Sequence, residues 1–180
     1  NNIKAEKQIR FSVVRYGNVM GSNGSVIPFF INKKKQNNSL PITDPNMTRF
    51  NISLQGGVNM VMHALENAWG GELFVPKIPS YNILDIAKAI APNCEHKIVG
   101  IRPGEKLHEE MITESDAMNT LEFDNYYVIV PSIRVWSKTK FKNESNKKMG
   151  KPCSDGFSYN SKSNNDFLSV EELKSLIKTL

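Results

Sequence analysis

Three glycines fall within eight positions, Gly17, Gly21 and Gly24 of RYGNVMGSNGSVIPFF (15–30), between an apolar strand-like run and a helix-like run. A glycine turn that opens a helix gathers free backbone N–H groups, and such groups hold anions. Three readings fit the spacing. Asp44 follows Gly24 by twenty positions, as in a dinucleotide-binding unit. Against that stand the spacing G-x3-G-x2-G, Arg15-Tyr16 ahead of the first glycine, and Pro45 after Asp44. The second reading keeps only the anion-binding logic, with the amides around Ser22–Val26 and Asn18 as a side-chain donor and acceptor. The third is a plain turn in which Asn18 satisfies local backbone.

From residue 11 to about 130 strand and helix signals alternate, the pattern of an α/β fold. Phe11–Val14 reads as a short buried strand. Residues 24–35 read as a helix with Lys33–Lys35 in its last turn, where cations suit the helix dipole. SLPIT (39–43) and TRFNIS (48–53) read as strands around an Asp44-Pro45-Asn46 turn. Ser53 is expected to cap a helix with Leu54, Val58, Val61, Leu65 and Ala68 on one face. ELFVP (72–76) follows as a strand, then a helix capped by Ser80 and ended by Pro92. KIVGI (97–101) reads as a strand, RPGEKLHEEMI as a turn and short helix, and 121–130 as one closing strand.

A chain of 180 residues, 39% hydrophobic and 23% charged, suits one soluble core plus a tail. No apolar run is long enough to cross a membrane, no leader opens the chain, and the polar start at Asn1 reads as a cut from something longer. Cys94 and Cys153 are isolated, so no metal site is expected and a reducing cytoplasm fits. The net charge of +5 lies wholly in residues 132–180, with 10 basic and 5 acidic side chains. That excess suits an anionic partner, but no aromatic-interleaved basic pattern accompanies it, so it reads as a solvated arm without nucleic acid. From Ser137 to Asn165 the arm is expected to be extended or partly disordered. It then enters a small helix with a Ser169/Glu172 capping box and Leu173, Leu176, Ile177 and Leu180 on one face.

By composition Arg49 and Arg102 are surface cations, unless both converge on the 18–26 loop, where a guanidinium fork would grip a phosphate. His108 with Glu105 reads as a helix pair. Neither His63 nor His96 has metal-ligand spacing.

Taken together, FSVVRYGNVMGSNGSVIPFF, LPITDPNMTRF, GGELFVPKIPS and VGIRPGEKLHEEMI resemble the C-terminal half of the CapD-like polysaccharide biosynthesis proteins. These are extended short-chain dehydrogenases/reductases, and the likeness is strongest to their inverting UDP-N-acetylglucosamine 4,6-dehydratases, lyases that open pseudaminic acid synthesis. It runs from about Phe11 to Pro131 and continues weakly through 157–177. The resemblance implies an α/β fold: the end of an NADP-binding Rossmann domain (1–36), the smaller α/β substrate part binding a UDP-sugar (37–131), and a basic tail (132–180). It implies that Asn18 contacts the nucleotide-sugar and that Val19, Met20, Gly21, Ser22 and Asn23 line the nicotinamide end of NADP. Ser25 and Val26 would face the sugar-nucleotide, Arg102 would grip its nucleotide or phosphates, and Arg49 would approach the diphosphate. Glu105, from the same motif as Arg102, joins the substrate-binding set. The full-length enzyme is expected to be a cytoplasmic homo-oligomer.

Two departures bear on the sugar rather than on the reaction class. Ser22-Asn23-Gly24 stands where the family commonly has SRG, and Phe50-Asn51-Ile52-Ser53 where it has a Trp-containing stretch. The superfamily's chemistry needs a Tyr-x-x-x-Lys pair, and none of Tyr16, Tyr81, Tyr126, Tyr127 or Tyr159 has Lys four residues on. The catalytic residues are therefore expected upstream of Asn1, and this fragment is expected to be inactive alone. In the intact enzyme the sugar would be oxidised at C4, lose its C5 proton and the C6 hydroxyl as water, and regain hydride at C6 with inversion at C5. Within the same superfamily, an epimerase or a dehydratase of another sugar is the alternative; an anion- or nucleic-acid-binding module is the rival of another class.

Overall fold

The computed structural model describes residues 9–36, 39–133, 136–143 and 147–180. In chain order the elements are β1 (Val13–Val14), β2 (Asn18–Val19), α1 (Val26–Gln36), β3 (Ser39–Ile42), β4 (Thr48–Ile52) and α2 (Leu54–Asn67). Next come β5 (Leu73–Pro76), β6 (Ser80–Asn82), α3 (Ile83–Ile90), β7 (Glu95–Ile98), β8 (Glu110–Ile112) and α4 (Glu114–Ala117). The chain ends with β9 (Thr120–Glu122), β10 (Tyr126–Ile129), a 3-10 turn (Lys138–Lys140), β11 (Lys151–Pro152), β12 (Tyr159–Asn160) and α5 (Val170–Ile177). They form two compact units. One takes residues up to Tyr16 with Leu54–Lys77 and Glu110–Tyr159; the other takes Gly17–Ser53, Ile78–Glu109 and Asn160–Leu180.

The second unit carries the candidate site. Its core is built from Ile27 and Phe30 of α1, Leu40 and Ile42 of β3, Tyr81, and Ile83, Ile86, Ala87 and Ile90 of α3, with Leu173 of α5 fully buried among them. The apolar positions of α3 recur at helical spacing, so one face packs inward. Two small sheets frame it. In one, β2 runs parallel to β4 and β4 antiparallel to β6; in the other, β3 runs parallel to β7. Asp44 closes the turn before β4, its carboxylate accepting the Asn46 N–H at 2.7 Å, the Asx turn that Asp-Pro-Asn favours. Gly17 is packed against β4, where a Cβ would overlap Phe50.

The first unit holds the sheet β1-β5-β10-β9-β11, in which β1 and β5 are parallel and α2 packs against both. An aromatic cluster of Trp69, Phe123, Tyr126, Trp136 and Phe141 fills its core beside Phe74 and Val128.

Several expectations are corrected. Helix α2 buries Gly57, Met60, Ala64 and Asn67, while Leu54 and Leu65 are 71% and 70% exposed. Phe11 and Val13 are exposed rather than buried, and β1 is confined to Val13–Val14. The 121–130 run turns at Asp124-Asn125 into the hairpin β9–β10. Helix α3 is capped by Asn82, whose carboxamide oxygen accepts the Leu84 N–H, while Ser80 lies in β6. Strand β7 ends at Ile98. No helix forms over 101–109, so Glu105 and His108 are not a helix pair.

Among its described residues the 137–165 stretch is largely extended and irregular, with the short strands β11 and β12, and its end is tied down; 144–146 lie outside them. Asn164 donates to the Ile78 carbonyl and to Ser80 Oγ, and the Ser80 N–H reaches the Asp166 carbonyl at 2.8 Å. The capping box at Ser169 and Glu172 forms, and α5 docks on α3.

Candidate functional site

Arg102-Pro103-Gly104-Glu105 dictates its own geometry. Proline at the second position and a glycine with φ 82° at the third make a type II turn, closed by Glu105 N–H on the Arg102 carbonyl at 3.0 Å. The Arg102 N–H in turn reaches Glu105 Oε2 at 3.3 Å. The turn presents both side chains to a cavity of about 530 Å³ within the second unit.

Asn18, Asn23, Gly24, Ser25, Val26 and Arg49 line the same cavity. Asn18 comes from β2, beside Asn51 of β4, and its side chain is hydrogen-bonded to the hydroxyl of Tyr81. Burial pushes that hydroxyl up to about 12, only partly offset by the Asn18 bond. Gly24 and Ser25 lead into α1, whose dipole favours an anion at this end, while the Ser25 N–H is taken by the Ser22 carbonyl at 3.0 Å. The Ser25 Oγ is buried and makes no hydrogen bond.

Arg49 is nearly buried, its side chain 11% exposed. Nη1 donates to the Thr48 carbonyl at 2.7 Å and to the Leu107 carbonyl at 3.2 Å. Nε faces Glu109 Oε1 at 3.6 Å, and Nη2 faces Glu105 Oε1 at 3.8 Å. Burial raises the Glu109 carboxyl above the usual range, against the Phe50 N–H and the Arg49 charge that pull it down. Burial, then Lys162 and Arg49, hold the His108 ring below its ordinary value.

All six residues expected at the sugar-nucleotide, Asn18, Ser25, Val26, Arg49, Arg102 and Glu105, thus line one cavity. Of the five expected at the nicotinamide, Asn23 lines it; Val19, Met20, Gly21 and Ser22 make the turn behind. The Met20 N–H reaches Ile52 O at 2.9 Å, the Ser22 N–H reaches Val19 O at 3.1 Å, and Gly21 (φ 71°) lies beneath Leu180. Asn51 is buried in β4. Ser161 escaped the sequence reading; it meets Thr48 across 113 positions, a distance over which no local pattern carries a signal.

Residues 1–131 match the family described as polysaccharide biosynthesis protein. The chain belongs to that family. It is 52% identical over 179 residues to a UDP-N-acetylglucosamine 4,6-dehydratase (inverting) of Campylobacter jejuni subsp. jejuni serotype O:23/36 (strain 81-176), covering 98% of this chain and 54% of the relative. It is 40% identical over 185 residues to a UDP-glucose 4-epimerase of Rickettsia bellii (strain OSU 85-389), covering 98% of this chain and 53% of the relative. The chain therefore spans about half the length of the curated relatives it matches. Among solved structures it resembles Pen from Bacillus thuringiensis with a TM-score of 0.76 at 31% identity, over 95% of this chain and 49% of that one. The α/β architecture is that of the C-terminal part of an extended short-chain dehydrogenase/reductase. Among the described residues no helix is long and apolar enough to cross a membrane.

Proposed function

We propose that this chain is the substrate-gripping half of an NADP-dependent UDP-N-acetylglucosamine 4,6-dehydratase that inverts C5. One observation carries the reading: two guanidinium groups from separate strands and loops, Arg49 and Arg102, line a single cavity with Asn18, Glu105 and the mouth of α1. That arrangement suits a diphosphate flanked by hydroxyl-bearing sugars. Arginine forks and helix N–H groups would hold the phosphates, and the carboxylate of Glu105 would accept from hydroxyls. Ser25 Oγ, buried without a partner, is available to a ligand oxygen.

Ser22, Asn23 and Gly24 are exposed, and a Cβ on Gly24 would meet nothing within 4 Å, so the outer side of the loop has room for a flat ring. We assign Val19–Asn23 to the wall at the nicotinamide end of NADP. The nicotinamide supplies reversible hydride transfer when bound; the residues of this chain bind and orient. The proton-moving Tyr and Lys belong to the part of the protein that this chain lacks.

The test is the full-length protein with UDP-N-acetylglucosamine, its product followed by NMR. A 4-keto-6-deoxy sugar with inverted C5 supports the reading, and recovery of unchanged substrate overturns it. The 40% identity to UDP-glucose 4-epimerases favours a second reading, epimerisation at C4. Conversion of UDP-glucose to UDP-galactose without loss of water would establish that one instead.

A further inference from the structure

We infer that Ser161, contributed by the closing segment of the chain, is the positioning residue that aligns Arg49 for the diphosphate. The inference rests on the reading of Arg49 as a phosphate contact.

Ser161 is fully buried. Its Oγ lies 2.7 Å from Thr48 Oγ1, accepts the Glu109 N–H at 2.9 Å, and sits 3.2 Å from the Thr48 carbonyl as donor. Its own N–H reaches the Glu109 carbonyl at 2.7 Å. Both partners hold Arg49. The Thr48 carbonyl accepts from Arg49 Nη1, and the Glu109 carboxylate faces Arg49 Nε. One carbonyl is thus shared by the serine and the arginine. The second oxygen of Glu109 accepts the Phe50 N–H at 3.3 Å, so the acid is itself fixed to the strand next to the arginine.

A guanidinium on a long flexible stem loses several rotamers when it is ordered on a phosphate. Fixing it in advance on two carbonyls and a carboxylate removes that cost from the binding step. Ser161 fixes the fixers. It closes the strand start at Thr48 onto the loop end at Glu109, and His108 Nδ1 extends the hydroxyl chain at 2.8 Å from Thr48 Oγ1. Ser161 itself does not line the cavity.

The test is a double-mutant cycle in the full-length protein, with UDP as probe and calorimetric affinity as readout. Ser161→Ala is expected to weaken UDP about tenfold, and Arg49→Ala at least as much. In the Arg49→Ala background, Ser161→Ala should change affinity less than about twofold, because its effect passes through the arginine. An undiminished Ser161→Ala penalty in that background overturns the inference and makes the serine merely structural. Wild-type affinity in Ser161→Ala overturns it too. If Arg49→Ala alone binds UDP like wild type, the diphosphate reading fails and takes this inference with it. Should Ser161→Ala not fold, Thr48→Val, which keeps the volume and removes the hydroxyl facing Ser161, enters the same cycle with the same expected outcome.

Discussion

Arg49 and Glu109 form a 3.6 Å ion pair whose acid stays above the usual carboxylate range. Burial outweighs the attraction here: the guanidinium and the Phe50 N–H reduce the rise without cancelling it. The site holds its arginine on a reluctant carboxylate.

A pH dependence with a definite sign follows. A carboxyl raised in the folded state contributes stability below its ordinary pKa and loses it as pH climbs through the raised value. Stability of the full-length protein should therefore fall over that interval, and Glu109→Gln should flatten the fall. Unfolding midpoints across mildly acidic buffers check this; parallel curves for the two proteins would refute it.

Arg102 is exposed and its side chain takes no part in the core. Arg102→Ala should weaken UDP-sugar binding by about 1.5–3 kcal/mol, the scale of a hydrogen bond to a charged group, and leave the melting temperature unchanged. Unaltered affinity in titration calorimetry would remove Arg102 from the site.

Gly17→Ala should destabilise by about 1–3 kcal/mol, because the added methyl overlaps Phe50 and lies 3.2 Å from Ile78 Cδ1. Chemical denaturation measures it. A wild-type midpoint would mean that β4 can retreat from the added methyl.

Leu173→Ala should cost about 2–5 kcal/mol, as for other large-to-small changes in a core. The residue is fully buried with Ile86 and Ile90. A loss below about 0.5 kcal/mol would mean that α5 is a loosely attached tail.

Local chemistry was readable from the sequence. Asp-Pro-Asn made its turn, Arg-Pro-Gly-Glu carried the material of a type II turn, and the Ser169/Glu172 capping box formed, because each is closed by bonds within a few residues. Periodicity counts apolar area and so points to Leu54 and Leu65 of α2, whereas the buried stripe is Gly57, Met60, Ala64 and Asn67. The 160–165 segment looks solvated in sequence because the partners of its polar residues, Ser80 and Thr48, lie far along the chain.

What the sequence by itself determined is the four longer helices, the turns and the family likeness, all carried by short-range stereochemistry and ordered motifs. Only the tertiary structure decided that Asn18, Arg49 and Arg102 share a cavity and that Ser161 locks the residues holding Arg49. The reason is physical: hydrogen bonds spanning 113 positions depend on how the core closes, and nothing in the residues flanking either partner encodes that closure.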